Sequence, residues 1–151
     1  MNQNIWGPHL WFSLHTISFN YPLKPTDKDK TEYYNFFVNL QEVIPCSVCK
    51  KNYKRHLTEH PIKDYLNSRK LLVYWVIDMH NMVNAEIGKK ILSYENVIKK
   101  YEDVYKKKIE LDNINIIEKN YDNTNYRCII HGLFVIFLIL LVINFINVYY
   151  A

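Results

Sequence analysis

Residues 68–88 read SRKLLVYWVIDMHNMVNAEIG, and this stretch decides the fold class. Its apolar side chains recur every three or four residues, which places them on one face of an α-helix. Ser68 can cap the start of this helix, and Gly88 is a typical residue just beyond a helix end. The stretch therefore predicts a long helix that buries one face. That face comprises Leu71, Leu72, Trp75, Val76, Met79 and Val83.

Two further periodic stretches lie before it. Pro8 predicts the start of a first helix, because proline is favoured at the first helical position. Thr26 and Asp27 predict the cap of a second helix. The first helix would carry Trp11, Leu14, His15 and Ser18 on one face, and the second Tyr33, Phe36, Phe37, Leu40 and Ile44.

Two more helices complete the pattern. A third is expected to begin at the cysteine pair after Pro45 and to run to about His60. A fifth, shorter helix is expected to begin at Ser93. Since no segment shows the sustained alternation of a strand, the sequence predicts an all-α fold, a four-helix bundle plus a short fifth helix.

The composition excludes several classes of protein. The chain has 151 residues, enough for one compact domain and an accessory segment. Lysine and arginine exceed the acids by 19 to 15, an excess too small and too scattered to indicate nucleic-acid binding. With only three glycines no phosphate-binding loop can be written, which excludes P-loop and Rossmann folds.

The C-terminal region differs from the rest of the sequence. Residues 1–110 would form the helical domain, and residues 111–127 are polar and typical of a linker. A helix over the apolar residues 128–150 would be about 34 Å long, enough to cross a bilayer, with a buried core helix as the alternative. Basic residues precede this run and none follows it, so we expect a single-pass anchor with the domain on the cytoplasmic side.

The sequence Cys46-Ser47-Val48-Cys49 follows directly after Pro45, at the expected start of a helix. Free N–H groups and the helix dipole at such a position stabilise a thiolate and lower the cysteine pKa. Two intervening residues let the sulfurs close into a reversible disulfide, which can store two electrons. One close pair, without a signal-peptide pattern at the N-terminus, favours redox catalysis over a secreted disulfide scaffold.

Two other interpretations of the cysteine pair stay open at this point. His56 and His60 complete a Cys-x2-Cys-x6-His-x3-His pattern of residue types that bind zinc, which would suit a tail-anchored helical adaptor with a zinc site. The short gap within one helix would point these ligands along the helix axis, which argues against a shared ion. The second alternative is a pair of buried thiols without a chemical role.

Two clusters of polar and aromatic residues lie elsewhere in the predicted bundle. Residues 6–15 read WGPHLWFSLH, and residues 80–89 read HNMVNAEIGK. In a helix Trp11 and His15 share a face, as do His80 and Asn84. Such faces could hold a planar heterocycle through stacking and hydrogen bonds, although single tryptophans and histidines on an apolar face are more often core residues.

The order of these three motifs resembles the Erv/ALR family of FAD-linked sulfhydryl oxidases. That family carries W-G-x-x-x-W-x-x-L-H, then a proline-preceded C-x-x-C, then H-N-x-V-N-x-x-L-G-K. This chain matches the motifs in order and spacing over about residues 5–105, with Ile87 in place of the leucine. It is most similar to the compact oxidases of large cytoplasmic DNA viruses.

The resemblance implies a bundle that binds FAD beside the cysteine pair and assembles as a homodimer, without a metal ion. Cys46 would react with the substrate thiol, and Cys49 would lie next to the isoalloxazine ring. The other FAD contacts implied by matching motif positions are Trp6, Gly7, Trp11, His15, His80, Asn81, Val83, Asn84 and Lys89, with Lys90 and Tyr94 as weaker candidates.

The resemblance also implies substrates and an electron acceptor. A substrate thiolate would attack Cys46, and the electrons would pass through FAD to dioxygen, giving hydrogen peroxide. Many cellular relatives carry a second, mobile cysteine pair, which this chain lacks. Thiol proteins or a small thiol carrier protein would therefore react with Cys46 directly. A viral origin would place the enzyme in the host cytoplasm and at the virion membrane.

Overall fold

The computed structural model describes residues 1–112, and all regular structure in this part of the chain is helical. This confirms the predicted all-α fold of four helices plus a short fifth. The helices are α1 (Gln3–Phe19), α2 (Asp27–Val43), α3 (Ser47–Glu59), α4 (Arg69–Glu86) and α5 (Tyr94–Tyr105), with a short 3-10 helix at Ile62–Tyr65 between α3 and α4.

Side-chain caps determine where three of the helices begin. Thr26, Ser68 and Ser93 each accept a hydrogen bond from a backbone N–H in the first turn of the following helix. Thr26 and Asp29 form a reciprocal capping box, which satisfies two otherwise free N–H groups. All three starts agree with the sequence, because a cap depends only on residues within one turn of it.

The predicted start of the first helix at Pro8 is wrong. The Asn2 side chain accepts a hydrogen bond from the Asn4 N–H at 3.0 Å and caps α1 more than a full turn earlier. Pro8 lies inside the helix on an exposed position, where water can replace the hydrogen bond that proline cannot donate. The longer helix brings Gln3, its first residue, to the cysteine pair.

The main core lies between α1, α2, α3 and α4. The rings of Phe37 and Trp75 meet edge to face at 5.2 Å, and Trp75 Nε1 donates to the His60 carbonyl at 2.9 Å. The buried Tyr53 hydroxyl donates to the Phe37 carbonyl at 2.9 Å, so the polar ends of these aromatic residues are satisfied. Other core residues are Leu14, Tyr21, Leu40, Ile44, Ile62, Leu66, Leu72, Val76 and Met79.

Helix α5 closes a second, smaller core against α4. Val97 and Tyr101 pack with Val73 and Ile77, and all four are buried. Tyr101 also lies near α1, since its ring centroid is 5.2 Å from that of His15. Helices α1, α4 and α5 therefore meet around His15.

The predicted linker and membrane anchor, residues 111–127 and 128–150, lie outside the described residues apart from Leu111 and Asp112. Asp112 Oδ1 accepts a hydrogen bond from the Lys70 N–H at 2.9 Å, at the start of α4. None of the helices within residues 1–112 is long and apolar enough to cross a bilayer.

Candidate redox and cofactor site

Cys46 and Cys49 form a disulfide at the N-terminus of α3. Cys46 is the N-cap residue of this helix, and its Sγ accepts a hydrogen bond from the Cys49 N–H at 3.2 Å. Both sulfurs therefore lie at the positive end of the helix dipole. This position stabilises the thiolates that form when the disulfide is reduced.

The two sulfurs have different surroundings. Cys49 is half-buried and packs against the main core. Cys46 lines an open hollow of about 400 Å³ together with Met1, Ile44, Pro45, Ser47 and Lys50. Both cysteines are half-buried, but only Cys46 lines the hollow, so a thiol that enters the hollow meets Cys46.

A second cluster joins the two polar-aromatic motifs across α1 and α4. Trp11 and His80 stack with their rings nearly parallel, at 4° and a centroid distance of 4.2 Å. His15 Nε2 lies 3.0 Å from His80 Nδ1, within hydrogen-bond distance. Residues that are far apart in the sequence thus form one aromatic and imidazole cluster.

Burial keeps both imidazoles neutral. It lowers the pKa of His15 to about 3, helped by the nearby charges of His80 and Lys100. Burial also lowers the pKa of His80 to about 4, helped by the positive charges of Lys100 and Lys89. The imidazole pair is therefore uncharged at neutral pH and lies in the positive field of two lysines.

Two buried polar atoms of the same motif have no hydrogen-bond partner, Trp6 Nε1 and His15 Nδ1. When His80 Nδ1 donates to His15 Nε2, the hydrogen of His15 lies on Nδ1, so both unpartnered atoms are donors. An unsatisfied buried donor costs about 1–3 kcal/mol, which a ligand that supplies the acceptor would recover. Flat rings, unpartnered polar atoms and lysine charges together fit the ring systems and diphosphate of FAD.

The second motif, residues 80–89, is held in place by its own polar groups. Helix α4 ends in a left-handed turn at Gly88 (φ 69°), and the Lys89 N–H donates to the Asn84 carbonyl at 2.8 Å. Asn81 uses both ends of its amide: Nδ2 donates to the Leu92 carbonyl at 2.9 Å, and Oδ1 accepts from the Leu92 N–H at 3.1 Å. Asn81 thereby fixes the segment that carries Lys89.

Comparisons with known proteins agree with this geometry. The sequence pattern of the Erv1 / Alr family matches residues 8–102. This chain belongs to the Erv1/Alr family. A protein of Acanthamoeba polyphaga mimivirus, named a probable FAD-linked sulfhydryl oxidase, is 43% identical over 103 residues, which cover 68% of this chain and 72% of that protein.

A second viral relative and a solved structure of the Erv1/Alr family match a similar length. The FAD-linked sulfhydryl oxidase of an African swine fever virus isolate is 33% identical over 105 residues, covering 70% of this chain and 87% of that protein. The crystal structure of the yeast Erv1 core superposes with a TM-score of 0.64 at 27% identity, covering 68% of this chain and 86% of that one.

The remaining residues expected from the Erv1/Alr motifs lie in varied surroundings. A Cβ atom added at Gly7 would meet no atom within 4 Å, so packing within the described residues does not require glycine there. Val83 is half-buried and Lys90 is exposed. Tyr94 stacks on Tyr74 at 3.9 Å, and its hydroxyl donates to Asp78 Oδ1 at 2.8 Å.

The alternative zinc site is not favoured in this Erv1/Alr bundle. The two sulfurs are bonded to each other, His56 Nε2 lies 2.9 Å from Glu86 Oε1, and His60 Nε2 lies 3.5 Å from Asp78 Oδ2. Among residues 1–112 no group of three or more His, Cys, Asp or Glu side chains is placed to hold a metal ion. The four predicted ligands therefore do not converge.

Two further residues near the cysteines and the histidines, Lys100 and Gln3, were not expected from the sequence. Lys100 of α5 acts electrostatically on both histidines, but nothing in the local sequence distinguishes it from its neighbour Lys99. Gln3 Oε1 lies 3.5 Å from Cys49 Sγ. The sequence signal for its position is Asn2, a typical N-cap residue, which places Gln3 at the start of the helix.

Proposed function

We propose that this chain is an FAD-dependent sulfhydryl oxidase, which forms disulfides in thiol substrates and passes the electrons to dioxygen. The observation that carries the proposal is the Cys46–Cys49 disulfide at the start of α3, open to solvent at one sulfur and packed against the core at the other. The viral relatives that match most of its length bear the same activity in their names.

Disulfide exchange begins at Cys46. A substrate thiolate enters the hollow and attacks Cys46 Sγ; a bond forms between these sulfurs, the Cys46–Cys49 bond breaks, and its electron pair leaves on Cys49 as a thiolate. A second substrate thiolate then attacks the substrate sulfur of this mixed disulfide and releases Cys46. Two substrate thiols are oxidised and one protein disulfide is reduced.

The chain's own groups would hold FAD through stacking, hydrogen bonds and charge. FAD, when bound, would supply the acceptor for the dithiol's electron pair and its route to dioxygen, which yields hydrogen peroxide. Trp11 and His80 offer stacking surface, and Trp6 Nε1 and His15 Nδ1 offer hydrogen bonds. The charges of Lys89 and Lys100, which act on His80, would balance the diphosphate.

Reduced proteins or a small thiol carrier protein are the proposed substrates. The sequence holds a single Cys-x-x-Cys pair, so no second pair of that kind relays electrons to Cys46. The exposed side chains of Val43 and Val48 beside the disulfide give the site an apolar rim suited to a polypeptide. A reduced protein substrate should therefore be oxidised at a lower concentration than dithiothreitol.

The decisive experiment is a spectrum of the purified full-length chain. We expect yellow protein whose flavin bands bleach anaerobically with dithiothreitol and return in air with release of peroxide. Cys49→Ser should bind FAD without thiol-dependent bleaching, whereas Cys128→Ser, the matched control outside the pair, should turn over normally. A colourless protein that rejects FAD and contains equimolar zinc would overturn the proposal, and so would full turnover by Cys49→Ser.

We also propose that the enzyme is a homodimer. Ile5, Phe12 and Phe36 are large apolar side chains that remain 69%, 40% and 40% exposed, and they supply apolar area on α1 and α2 for a second copy. Sedimentation analysis should give twice the mass of the chain, and Phe36→Glu should shift it toward monomer. A wild-type monomer at micromolar concentration would contradict this.

The C-terminal residues 128–150 are proposed to anchor the enzyme in a membrane, with the catalytic domain facing the cytoplasm. The length of the apolar run and the basic residues before it support this topology. The full chain should stay with membranes in alkaline carbonate, whereas a chain ending at residue 125 should be released. Protease added to sealed vesicles whose outer surface is the cytoplasmic face should digest the catalytic domain. Protection of the domain would contradict this topology.

A further inference from the structure

Gln3 brings a carboxamide group from α1 to the redox disulfide at the start of α3. Its Oε1 lies 3.5 Å from Cys49 Sγ and 3.8 Å from Cys46 Sγ. In the disulfide neither sulfur carries a hydrogen, so these distances describe contact and not hydrogen bonds. The contact joins the first turn of α1 to the first turn of α3, at the sulfur atoms of the disulfide.

The backbone holds Gln3 in this place. It is the first residue of α1, directly after the Asn2 cap. Because the first turn of α1 is fixed by this cap, the side chain of Gln3 leaves the helix next to the first turn of α3. Its side chain is otherwise exposed, so stability alone gives no reason for an amide at this position.

A carboxamide can serve both states of the cysteine pair. It carries one oxygen and two N–H donors, and its terminal torsion has a broad, two-fold preference, so a half-turn exchanges oxygen and nitrogen at small cost. Beside the disulfide either end makes contact. Beside a thiolate the N–H end is strongly favoured, because a charge-assisted hydrogen bond is about twice as strong as a neutral one.

We propose that Gln3 is a further catalytic residue, whose side-chain amide donates a hydrogen bond to the Cys49 thiolate. This rests on the proposed function, in which attack on Cys46 breaks the disulfide and its electron pair leaves on Cys49. A hydrogen bond to that thiolate lowers the pKa of Cys49 and makes it a better leaving group. Gln3 thus acts on the substrate half-reaction.

Other charges near the pair lie at the N-terminus of the chain and on α3. The Met1 residue before α1 and Lys50 of α3 line the hollow beside Cys46, and Lys50 Nζ donates to the carbonyl of Glu42 at the end of α2 at 2.7 Å. Lys51 of α3 is exposed. All of these groups are retained when Gln3 alone is replaced, so a difference in the pKa of Cys49 reports the amide.

The test measures the pKa of Cys49 in the full-length chain. In a Cys46→Ser background, where serine retains the helix cap, the rate of iodoacetamide alkylation at Cys49 is followed against pH by mass spectrometry, which separates Cys49 from Cys128. Gln3→Met keeps length and helix propensity without donors, and Gln3→Glu adds a like charge. Asn4→Met is the matched control on the neighbouring position.

We expect Gln3→Met to raise the pKa of Cys49 by about 1 unit, Gln3→Glu to raise it further, and Asn4→Met to leave it unchanged. With both cysteines present, Gln3→Met should also shift the equilibrium with glutathione up to about tenfold toward the disulfide. An unchanged pKa in Gln3→Met, or an equal rise in Asn4→Met, would overturn the assignment. Alkylation needs neither FAD nor dioxygen, so absence of oxidase activity is a separate result.

Discussion

His15 and His80 share one hydrogen bond between α1 and α4, with His15 Nε2 3.0 Å from His80 Nδ1. Two imidazoles can form this bond only when at least one of the facing nitrogens is unprotonated. Burial and the lysine charges nearby disfavour a second proton on either ring. The bond therefore links the protonation of the site to the packing of the two helices that carry the Erv1/Alr motifs.

The free energy of unfolding should fall as the pH drops from 7 to 5. The pKa values in the folded state, about 3 and about 4, lie below the ordinary histidine value of 6.5, so the unfolded chain binds more protons in this range. This stability is present above pH 6.5 and is lost progressively as the pH falls toward the folded-state values. We expect a loss of about 2–3 kcal/mol by pH 5, measured by urea unfolding of the FAD-free protein.

The matched pair of variants for this pH dependence is His80→Gln and His9→Gln. His80→Gln removes one imidazole of the pair, so its stability should depend less steeply on pH. His9 is exposed on α1, and its replacement should leave the slope as in the wild type. Equal slopes for both variants would contradict the assigned role of the imidazole pair.

Lys100→Gln should weaken FAD binding about five- to tenfold and reduce its salt dependence. Lys100 lowers the pKa of both histidines, so its charge acts on the site where the diphosphate would lie. Lys99→Gln removes the same charge from the preceding, exposed position and is the matched control. Titration of the FAD-free protein, followed by flavin fluorescence at two salt concentrations, measures both effects. Equal weakening by the two variants would instead indicate a general effect of net charge.

The parts of the fold that depend on neighbouring residues could be predicted from the sequence. Thr26, Ser68 and Ser93 cap their helices as expected, because a cap is formed by residues two or three positions apart. The face of α1 with Leu14 and His15 is buried as its spacing predicts. The motif order also predicted the family, since spacing along the chain is itself sequence information.

The parts that depend on contacts between helices could not be predicted. Proline is more often the first residue of a helix than an interior one, so Pro8 predicted a start five residues later than the observed start of α1 at Gln3. The role of Lys100 follows from packing of α5 beside α1 and α4, which periodicity does not specify. Asn81 matched a cofactor motif, but its side-chain amide hydrogen-bonds to the backbone of Leu92. This contact depends on the path of the chain after α4, which the sequence does not specify.

Asn81→Ala should loosen the segment after α4 without unfolding the bundle. It removes both hydrogen bonds to Leu92, so the Leu92 amide should lose most of its protection from hydrogen exchange. Lys89 lies on the same segment, and FAD should dissociate faster as a result. Asn96→Ala is a control on an exposed position of α5. Protection of Leu92 equal to that of the wild type would show that the segment is held by other contacts.

Glu86→Gln should destabilise the attachment of α3 to α4 by about 1–2 kcal/mol. Glu86 Oε1 accepts from His56 Nε2 at 2.9 Å and from Arg55, while Oε2 accepts from Asn52 Nδ2 at 3.0 Å. The amide introduced by Glu86→Gln would have only one acceptor oxygen, so its NH2 group would face one of the donors of Asn52, Arg55 or His56. A lost hydrogen bond is costly at His56, because this side chain is buried.

Glu59→Gln provides the control for that variant, because it removes the other carboxylate near Arg55, an exposed pair at 3.9 Å within α3. Such a pair contributes at most about 0.5 kcal/mol. Urea unfolding at pH 7 compares the two variants, and the flavin spectrum reports whether the redox helix has moved. The larger effect should belong to Glu86→Gln, since Glu86, unlike Glu59, joins the cysteine helix to the helix of His80. Equal effects would show that the contacts of Glu86 contribute no more than an exposed surface ion pair.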